Sequence, residues 1–249
     1  MDLHHGLHRM KVLALDTTTR VGSVALVEND RVIEERHGDG ARSHAERLPH
    51  ELLEVAGAHG VAVSTIDLFA VASGPGSFTG LRIGIATIQG LALVARRRVI
   101  GVPALDALAH VASLDLDAGA LVAGWMDAHR REVFAALYRV TAAPPFDPAR
   151  LEALDPVSVG DPGSVLARWQ PFLMHGPPVF IGDGAVLYAG RIRAAHPDAP
   201  VVEPGPLAGA IGRLAVGHAR HGETIDPAAI RPLYVRRPDA EVARDKRAT

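Results

Sequence analysis

Gly74-Pro75-Gly76-Ser77-Phe78-Thr79-Gly80-Leu81-Arg82-Ile83-Gly84 lies between two apolar runs. Leu68 to Ser73 before it reads as a buried strand, and Phe78 to Arg97 reads as a long apolar helix. A glycine-rich turn from strand to helix can offer free amides at the positive end of a helix dipole, where an anion can sit. Gly74, Gly76 and Ser77 are therefore candidate nucleotide-binding residues. The turn is not a P-loop, because Leu81 stands where the phosphate-binding lysine belongs, and its glycine spacing misses the dinucleotide fingerprint. The other reading is mechanical: Gly74 and Gly76 permit a tight turn, while Gly80 and Gly84 allow close packing of the helix.

Working outward, Val12 to Asp16, Gly22 to Val27 and Arg31 to Arg36 predict three successive strands in an antiparallel meander. Ser43 followed by Glu46 is a capping-box pattern, opening a helix to about His59 with a bend at Pro49. After the long helix come a short strand at Val99 to Val102 and a further helix started by Pro103. From Ala120 the order repeats: strands at Leu121 to Met126, Val133 to Val140 and Leu154 to Val159, then helix, strand, helix, strand and a last helix, Leu207 to His221. Three strands followed by alternating helices and strands, repeated, predict an α/β protein of two similar halves, the actin-like/ASKHA (ribonuclease H-like) fold. The expected organisation is a disordered extension over 1–9, an N-terminal half over 10–114, a C-terminal half over 115–237 and a flexible tail over 238–249. Thr141 to Pro148, rich in proline and alanine, reads as an exposed loop inside the second half.

With 249 residues, 48% of them hydrophobic, the chain can bury a sizeable core. Its formal net charge of -2, with acids and bases intermixed, gives no broad footprint for tRNA or anionic lipid. The absence of cysteine removes disulfides, thiolate nucleophiles and cysteine metal sites. No apolar run approaches the roughly 18 to 20 residues that span a bilayer, so a cytoplasmic chain with no membrane partner is expected. His4, His5 and His8 precede Met10, where the first strand-like run begins, and read as part of an extension or upstream start. No HExxH occurs, and His44 and His50 fall on different helix faces. His218 and His221 sit near a helix end, where the dipole favours a cation. His110 is expected on a helix surface, and no metal site is expected.

The whole run from Gly74 to Gly84, followed by Ile88-Gln89-Gly90-Leu91-Ala92-Leu93, resembles the TsaB (YeaZ-like) family. The likeness continues at Leu15-Asp16-Thr17-Thr18-Thr19, at Ser43-His44-Ala45-Glu46-Arg47-Leu48, at Asp127-Ala128-His129-Arg130-Arg131-Glu132-Val133 and at Pro232-Leu233-Tyr234-Val235-Arg236. It departs at His129, where the family usually has arginine, and at Phe134, where tyrosine is usual. Proteins of this family are subunits of the bacterial machinery that makes threonylcarbamoyladenosine on tRNA, and they share the actin-like fold with the catalytic subunit TsaD. The resemblance implies a non-catalytic dimerisation subunit that binds and stabilises TsaD, is joined by the ATPase TsaE and meets tRNA only through the complex; a homodimer in isolation is the other pairing considered.

TsaD-like proteins carry a Val-Asn-His-x-x-x-His element whose two imidazoles hold a catalytic metal, whereas this chain reads Val102-Pro103-Ala104-Leu105-Asp106-Ala107-Leu108. Ala104 and Leu108 thus replace the imidazoles and have no lone pair to give. No catalytic residue is expected. Asp16 with Thr17, Thr18 and Thr19 occupies the turn where kinases of this architecture hold phosphate and magnesium, and Gly182-Asp183-Gly184-Ala185 has the position of the adenosine-side loop. Asp16, Thr17, Thr18, Gly182 and Gly184 therefore join the candidate nucleotide-binding set, with ATP or ADP the one cofactor considered; the other reading is local capping of a strand turn. The alternative function is an ATP-dependent phosphotransferase or nucleotide hydrolase built on Asp16.

The long helix is apolar on more than one side, with Leu81, Ile85, Ile88 and Ala92 on one stripe and Ile83, Ala86, Gly90, Leu93 and Val94 on another. One stripe can face the sheet, and the second needs a cover: either another helix of this chain, with Leu48, Leu52, Val55 and Ala56, or a partner. The expected partner surface comprises Leu48, Leu52, Val55, Ile83, Thr87, Gly90 and Val94.

Overall fold

The computed structural model describes residues 9–19, 21–40, 43–174 and 176–236. His4, His5 and His8 and the tail over 238–249 lie outside the described residues. The first half opens on the expected meander: β1 (Lys11–Asp16) pairs antiparallel with β2 (Ser23–Glu28), which pairs antiparallel with β3 (Arg31–His37). β4 (Leu68–Gly74) then joins β1 in parallel, and β5 (Arg98–Pro103) joins β4 in parallel. The second half repeats this with β6 (Leu121–Asp127), β7 (Val133–Val140), β8 (Leu151–Gly160), β9 (Val179–Ile181) and β10 (Val201–Val202). The sheet orders are β3-β2-β1-β4-β5 and β10-β9-β6-β7-β8. Read from β8, the second sheet is third, second, first, fourth, fifth strand, the same order as the first. The chain is an α/β protein of two similar halves with the actin-like fold.

Seven helices of the described residues attach to these sheets. α1 (His44–Ala58) starts where Ser43 N and Oγ both donate to Glu46 Oε2, at 3.0 and 2.6 Å. α2 (Phe78–Ala95) stops short of Arg97 because Arg96 turns left-handed, at φ 54°, and its N–H caps the Ala92 and Leu93 carbonyls. α1 and α2 cover one face of the first sheet, where Leu48, Leu52 and Val55 meet Leu13, Phe69, Ile85 and Ile88 in a closed core. α3 (Ala104–Ala112) and α7 (Ala208–Arg220) touch each other between the two sheets. α3 packs mainly on β6 and β9, whereas α7 packs on β1, β2 and β4. Each half therefore lends a helix to the other's sheet, and one core containing Val12, Leu105, Tyr138 and Ile211 runs through both. On the outer face of the second sheet, α4 (Pro162–Trp169), α5 (Asp183–Leu187) and α6 (Ala189–Ala195) enclose Trp125, Trp169 and Phe180. Trp125 and Phe180 meet edge to face at 5.3 Å, and Trp169 Nε1 donates to Asp155 at 2.6 Å.

Three expectations need correction. His110 is buried rather than on a surface, since α3 lies between two sheets and has no wet side; its ring stacks on Phe146 at 5.9 Å. Burial pushes this imidazole down to about 4, with the charge of His218 adding. The segment from Thr141 to Pro148 is likewise only partly exposed, because Phe146 is buried under Arg213, whose guanidinium lies 3.8 Å over the ring. Finally, α2 is by length and composition apolar enough to cross a membrane, with 33% of its most apolar window buried. Its Leu81, Ile85, Ile88 and Ala92 face is docked on the first sheet.

After α7 the chain returns to the first half. Val99 and Ile225 exchange backbone hydrogen bonds at 3.0 Å, Gln89 Nε2 donates to the Pro227 carbonyl at 2.8 Å, and Leu233 N donates to the Ser73 carbonyl at 2.7 Å. Residues 231–236 form a strap that ends on the second half, where Arg236 Nη1 donates to the Ala128 carbonyl at 2.7 Å and Nη2 pairs with Glu132.

Candidate functional site

The carboxyl ends of β1 and β6 face a cleft of about 330 Å³ between the halves, lined by Asp16, Thr18, Leu108, Met126, Asp183 and Glu203 among others. Asp16 Oδ1 accepts from Thr18 N at 2.9 Å and from Thr18 Oγ1 at 2.7 Å, so its carboxylate closes its own turn. Burial holds Asp16 above the usual carboxylate range, and the charge of Asp183 pushes the same way. Asp183 Oδ1 accepts from Asp127 N at 3.0 Å and Gly184 N at 2.8 Å, and burial raises its carboxyl too. Two desolvated acids thus meet across the cleft, and among the described residues no lysine or arginine lines it.

The glycine-rich turn stands behind this wall. Ser77 N donates to the Thr18 carbonyl at 2.9 Å, and a Cβ on Gly76 would lie 2.6 Å from Thr18 Cβ. A Cβ on Gly80 or Gly84 would come within 2.2 Å of Thr17, on its carbonyl and its Oγ1 respectively. Gly74 takes φ 118° where the Leu233 carbonyl crosses it. These glycines let one turn press on another. Of the candidate nucleotide-binding residues, Asp16 and Thr18 line the cleft, Thr17 is buried, Gly182 and Gly184 press on the β6 backbone at Trp125 and Met126, and Gly74, Gly76 and Ser77 lie beyond Thr18. Among the described residues the cleft offers a polyphosphate His37 and no lysine or arginine, and Asp16 meets Thr18 through Oδ1.

Ala104 and Leu108, at the positions of the expected imidazoles, are buried in the central core, with Leu108 reaching the cleft floor. Among the described residues no three His, Asp or Glu side chains gather as a metal site requires.

The outer side of α2 is a second candidate surface. Its inner stripe, Leu81, Ile85, Ile88 and Ala92, is buried, while Val94 is 84% and Leu93 58% exposed, with Ala86 and Gly90 also open. Ile83 and Thr87 are half-buried at its margin. Leu48, Leu52 and Val55 are fully buried within the first half and are therefore not available to a second molecule; they lie under α1, on the face that seals the sheet. The large apolar side chain that α1 leaves exposed is instead Leu53.

Two features escaped the sequence. The turn between β6 and β7 holds His129, Arg130 and Arg131 at φ 57°, 55° and 64°, a left-handed run of exposed residues that costs on the order of 1 kcal/mol each. Asp127 Oδ1 accepts from His129 N at 2.8 Å, Glu132 N donates to the His129 carbonyl at 2.9 Å, and Arg236 grips both flanks. The second is the stack of Tyr234 on Phe78, 5.2 Å between centroids. Only the likeness to a family marked these segments, since a turn without glycine carries no signal of left-handed backbone.

Fold and site together define a duplicated actin-like protein whose cleft is acidic and whose long outer helix is left open on its apolar side. The family model of TsaD, tRNA N6-adenosine threonylcarbamoyltransferase, matches residues 32–159. The chain is similar to the tRNA threonylcarbamoyladenosine biosynthesis protein TsaB of Escherichia coli (strain K12), 38% identical over 130 residues, a stretch that covers 52% of this chain and only 55% of that protein. It is also similar to an uncharacterized protein of Mycobacterium tuberculosis (strain H37Rv), 33% identical over 235 residues and covering 92% and 93% of the two chains. The solved structure of YeaZ from Pseudomonas aeruginosa superimposes with a TM-score of 0.73 at 29% identity, over 90% of this chain and 99% of that one. This chain belongs to the TsaB/YeaZ-like family.

Proposed function

We propose that the chain is a non-catalytic subunit in the biosynthesis of threonylcarbamoyladenosine on tRNA, and that it acts by docking and stabilising a TsaD-type catalytic protein through the outer stripe of α2. The observation that carries this reading is the open stripe itself. Leu93 and Val94 stay largely in water beside the small residues Ala86 and Gly90, which let another helix approach closely. Burying such side chains contributes roughly 1.5 to 3 kcal/mol each, enough to drive association. Apolar Ala104 and Leu108 support the non-catalytic part, and an ATPase of the TsaE type would complete the assembly. In isolation the same stripe would pair with a second copy.

The test is reconstitution. The purified chain alone is expected to form no threonylcarbamoyladenosine and to show no magnesium-dependent ATP turnover sensitive to Asp16→Ala; adding a TsaD-type partner and the remaining components should yield modified tRNA. Modification by the chain alone would overturn the proposal, and Asp16-dependent turnover would favour a phosphotransferase or hydrolase.

A further inference from the structure

The outer stripe of α2 is apolar in its middle and cationic at both ends. Its exposed positions Thr79, Arg82, Ala86, Gly90 and Leu93 fall three or four residues apart and so form one line down the helix. Arg82 opens that line as a fixed charge. Its guanidinium lies 3.9 Å over the Phe78 ring, and its Nε donates to Tyr234 Oη at 2.9 Å, while Tyr234 stacks on Phe78. Among the described residues no acceptor holds its two Nη atoms. At the far end, Arg96, Arg97 and Arg98 follow directly on Leu93 and Val94. Arg96 is exposed, Arg97 Nε is buried without an acceptor, and Arg98 Nη2 donates to the Thr224 carbonyl at 3.0 Å. The helix dipole accounts for cations at this end, but not for Arg82, which stands towards the positive end. Between 78 and 98 there is no aspartate or glutamate. Of the acids on neighbouring α1, Glu46 accepts from Ser43, Glu51 accepts from Arg47 and Glu54 lies 3.1 Å from His50.

A second copy is therefore a poor cover for this stripe. In a two-fold pair the same patch faces itself, so parallel helices would set Arg82 on Arg82, and antiparallel ones would set Arg82 against Arg96–Arg98. Either way cation meets cation. A different helix with carboxylates at matching positions would instead gain at each end, through the paired N–H donors of each guanidinium. A lipid surface would also answer the cations, but faces that seat in lipid carry large groups such as Trp, Phe and Leu. Here Ala86 and Gly90 make a flat centre, which lets a second helix axis come close. We propose that the arginines at the two ends of the stripe select its occupant: an apolar helix of a different protein, flanked by carboxylates about 21 Å apart, the span from Arg82 to Arg96 at about 1.5 Å per residue. The same charges hold a second copy off, so the self-pair is the weaker of the two. The inference rests on the reading of α2 as the docking face.

The experiment follows both pairings from low to physiological ionic strength, the full-length chain alone by analytical ultracentrifugation and with a TsaD-type protein by titration calorimetry. Salt screens attraction and repulsion alike, so affinity for the partner should fall as salt rises, while the lone chain should self-pair more. The double variant R82Q/R96Q should loosen the partner roughly fivefold at low salt, the loss of two exposed ion pairs, and should tighten the self-pair. Should R82Q melt early by freeing the ring stack, Arg96→Glu decides, because the Arg96 side chain has no polar partner among the described residues; it too should loosen the partner roughly fivefold. Affinity for the partner unmoved by Arg96→Glu, or a self-pair that loosens as salt rises, overturns the proposal. Binding to phosphatidylglycerol vesicles that R82Q/R96Q abolishes, with affinity for the partner unchanged, assigns the cations to lipid and overturns it as well. If Val94→Asp loses the partner while the arginine variants keep it, the docking face stands and charge selection falls; if Val94→Asp keeps the partner, both fall.

Discussion

The outer helical layers of the two sheets, built on the same strand order, are anchored in different ways. Over the second sheet the helices are short and their aromatic anchor turns inward: Trp169 is fully buried against Trp125 and Phe180 and hydrogen-bonded to Asp155, while Ala167 and Arg168 of the same helix face solvent and Val186 and Leu187 of α5 stay 44% and 58% exposed. Over the first sheet, α2 buries one apolar stripe and leaves another open, ending in Leu93 and Val94. The contrast teaches that a duplicated fold need not duplicate its surfaces. A layer pinned by buried aromatics is held by its own core, whereas a long helix with a continuous apolar stripe in water is stable only in company or at a cost in solubility.

The comparison breaks most visibly at the tryptophan. Trp169→Ala should destabilise the protein by about 3–5 kcal/mol in denaturant unfolding, the cost of an emptied aromatic site, without altering partner docking. A loss below 1 kcal/mol would mean that the second outer layer is as loosely held as the first.

The seam between the layers responds to acid. His110 is neutral in the fold with its pKa near 4, against 6.5 when unfolded, so the unfolded state takes up the extra proton between these values. Stability should be full above pH 6.5 and fall by up to about 3 kcal/mol as the pH drops to 4, at about 1.36 kcal/mol per pKa unit. His110→Leu should lack this slope in thermal melts across the same range. The raised carboxyls of Asp16 and Asp183 act with the opposite sign, favouring the fold in acid, and both proteins retain them, so the difference isolates the imidazole.

The helix caps sharpen the contrast at smaller magnitude. Ser77 Oγ accepts from Gly80 N at the start of α2, and Asp161 Oδ1 accepts from Gly163 N and Ser164 N at the start of α4. Ser77→Ala and Asp161→Ala should each cost about 1 kcal/mol. Only the first should also weaken docking, because it loosens the helix that carries the open stripe; equal effects on docking would erase the distinction.

Much of this was legible in the sequence. Alternating apolar residues fixed the meander, the Ser43 and Glu46 pair placed the start of α1, and the repeated order of elements pointed to two halves. The two stripes of α2 could be drawn from periodicity alone. What periodicity could not supply was the partner of each face. Leu48, Leu52 and Val55 were expected at an interface, but they fill the space between α1 and the first sheet, because a helix stripe carries no mark saying whether its cover is its own chain. His110 and Phe146 were misplaced for a related reason: the exchange of α3 and α7 between sheets is a long-range event with no local signature. At the cleft, the Asp16 and Thr18 turn was visible as a motif, while the acidic lining depended on Asp183 and Glu203 arriving from distant segments.

The smallest effect on stability bears the most weight on function. Val94→Asp should leave unfolding stability within about 0.5 kcal/mol of the unaltered chain, because its side chain already lies in water. The decisive measurement is therefore co-purification of the Val94→Asp chain with a TsaD-type protein from the same cell, its folding verified by the same melt. Loss of the partner from a chain that remains folded is the predicted result; full retention of the partner would contradict the assignment of this face.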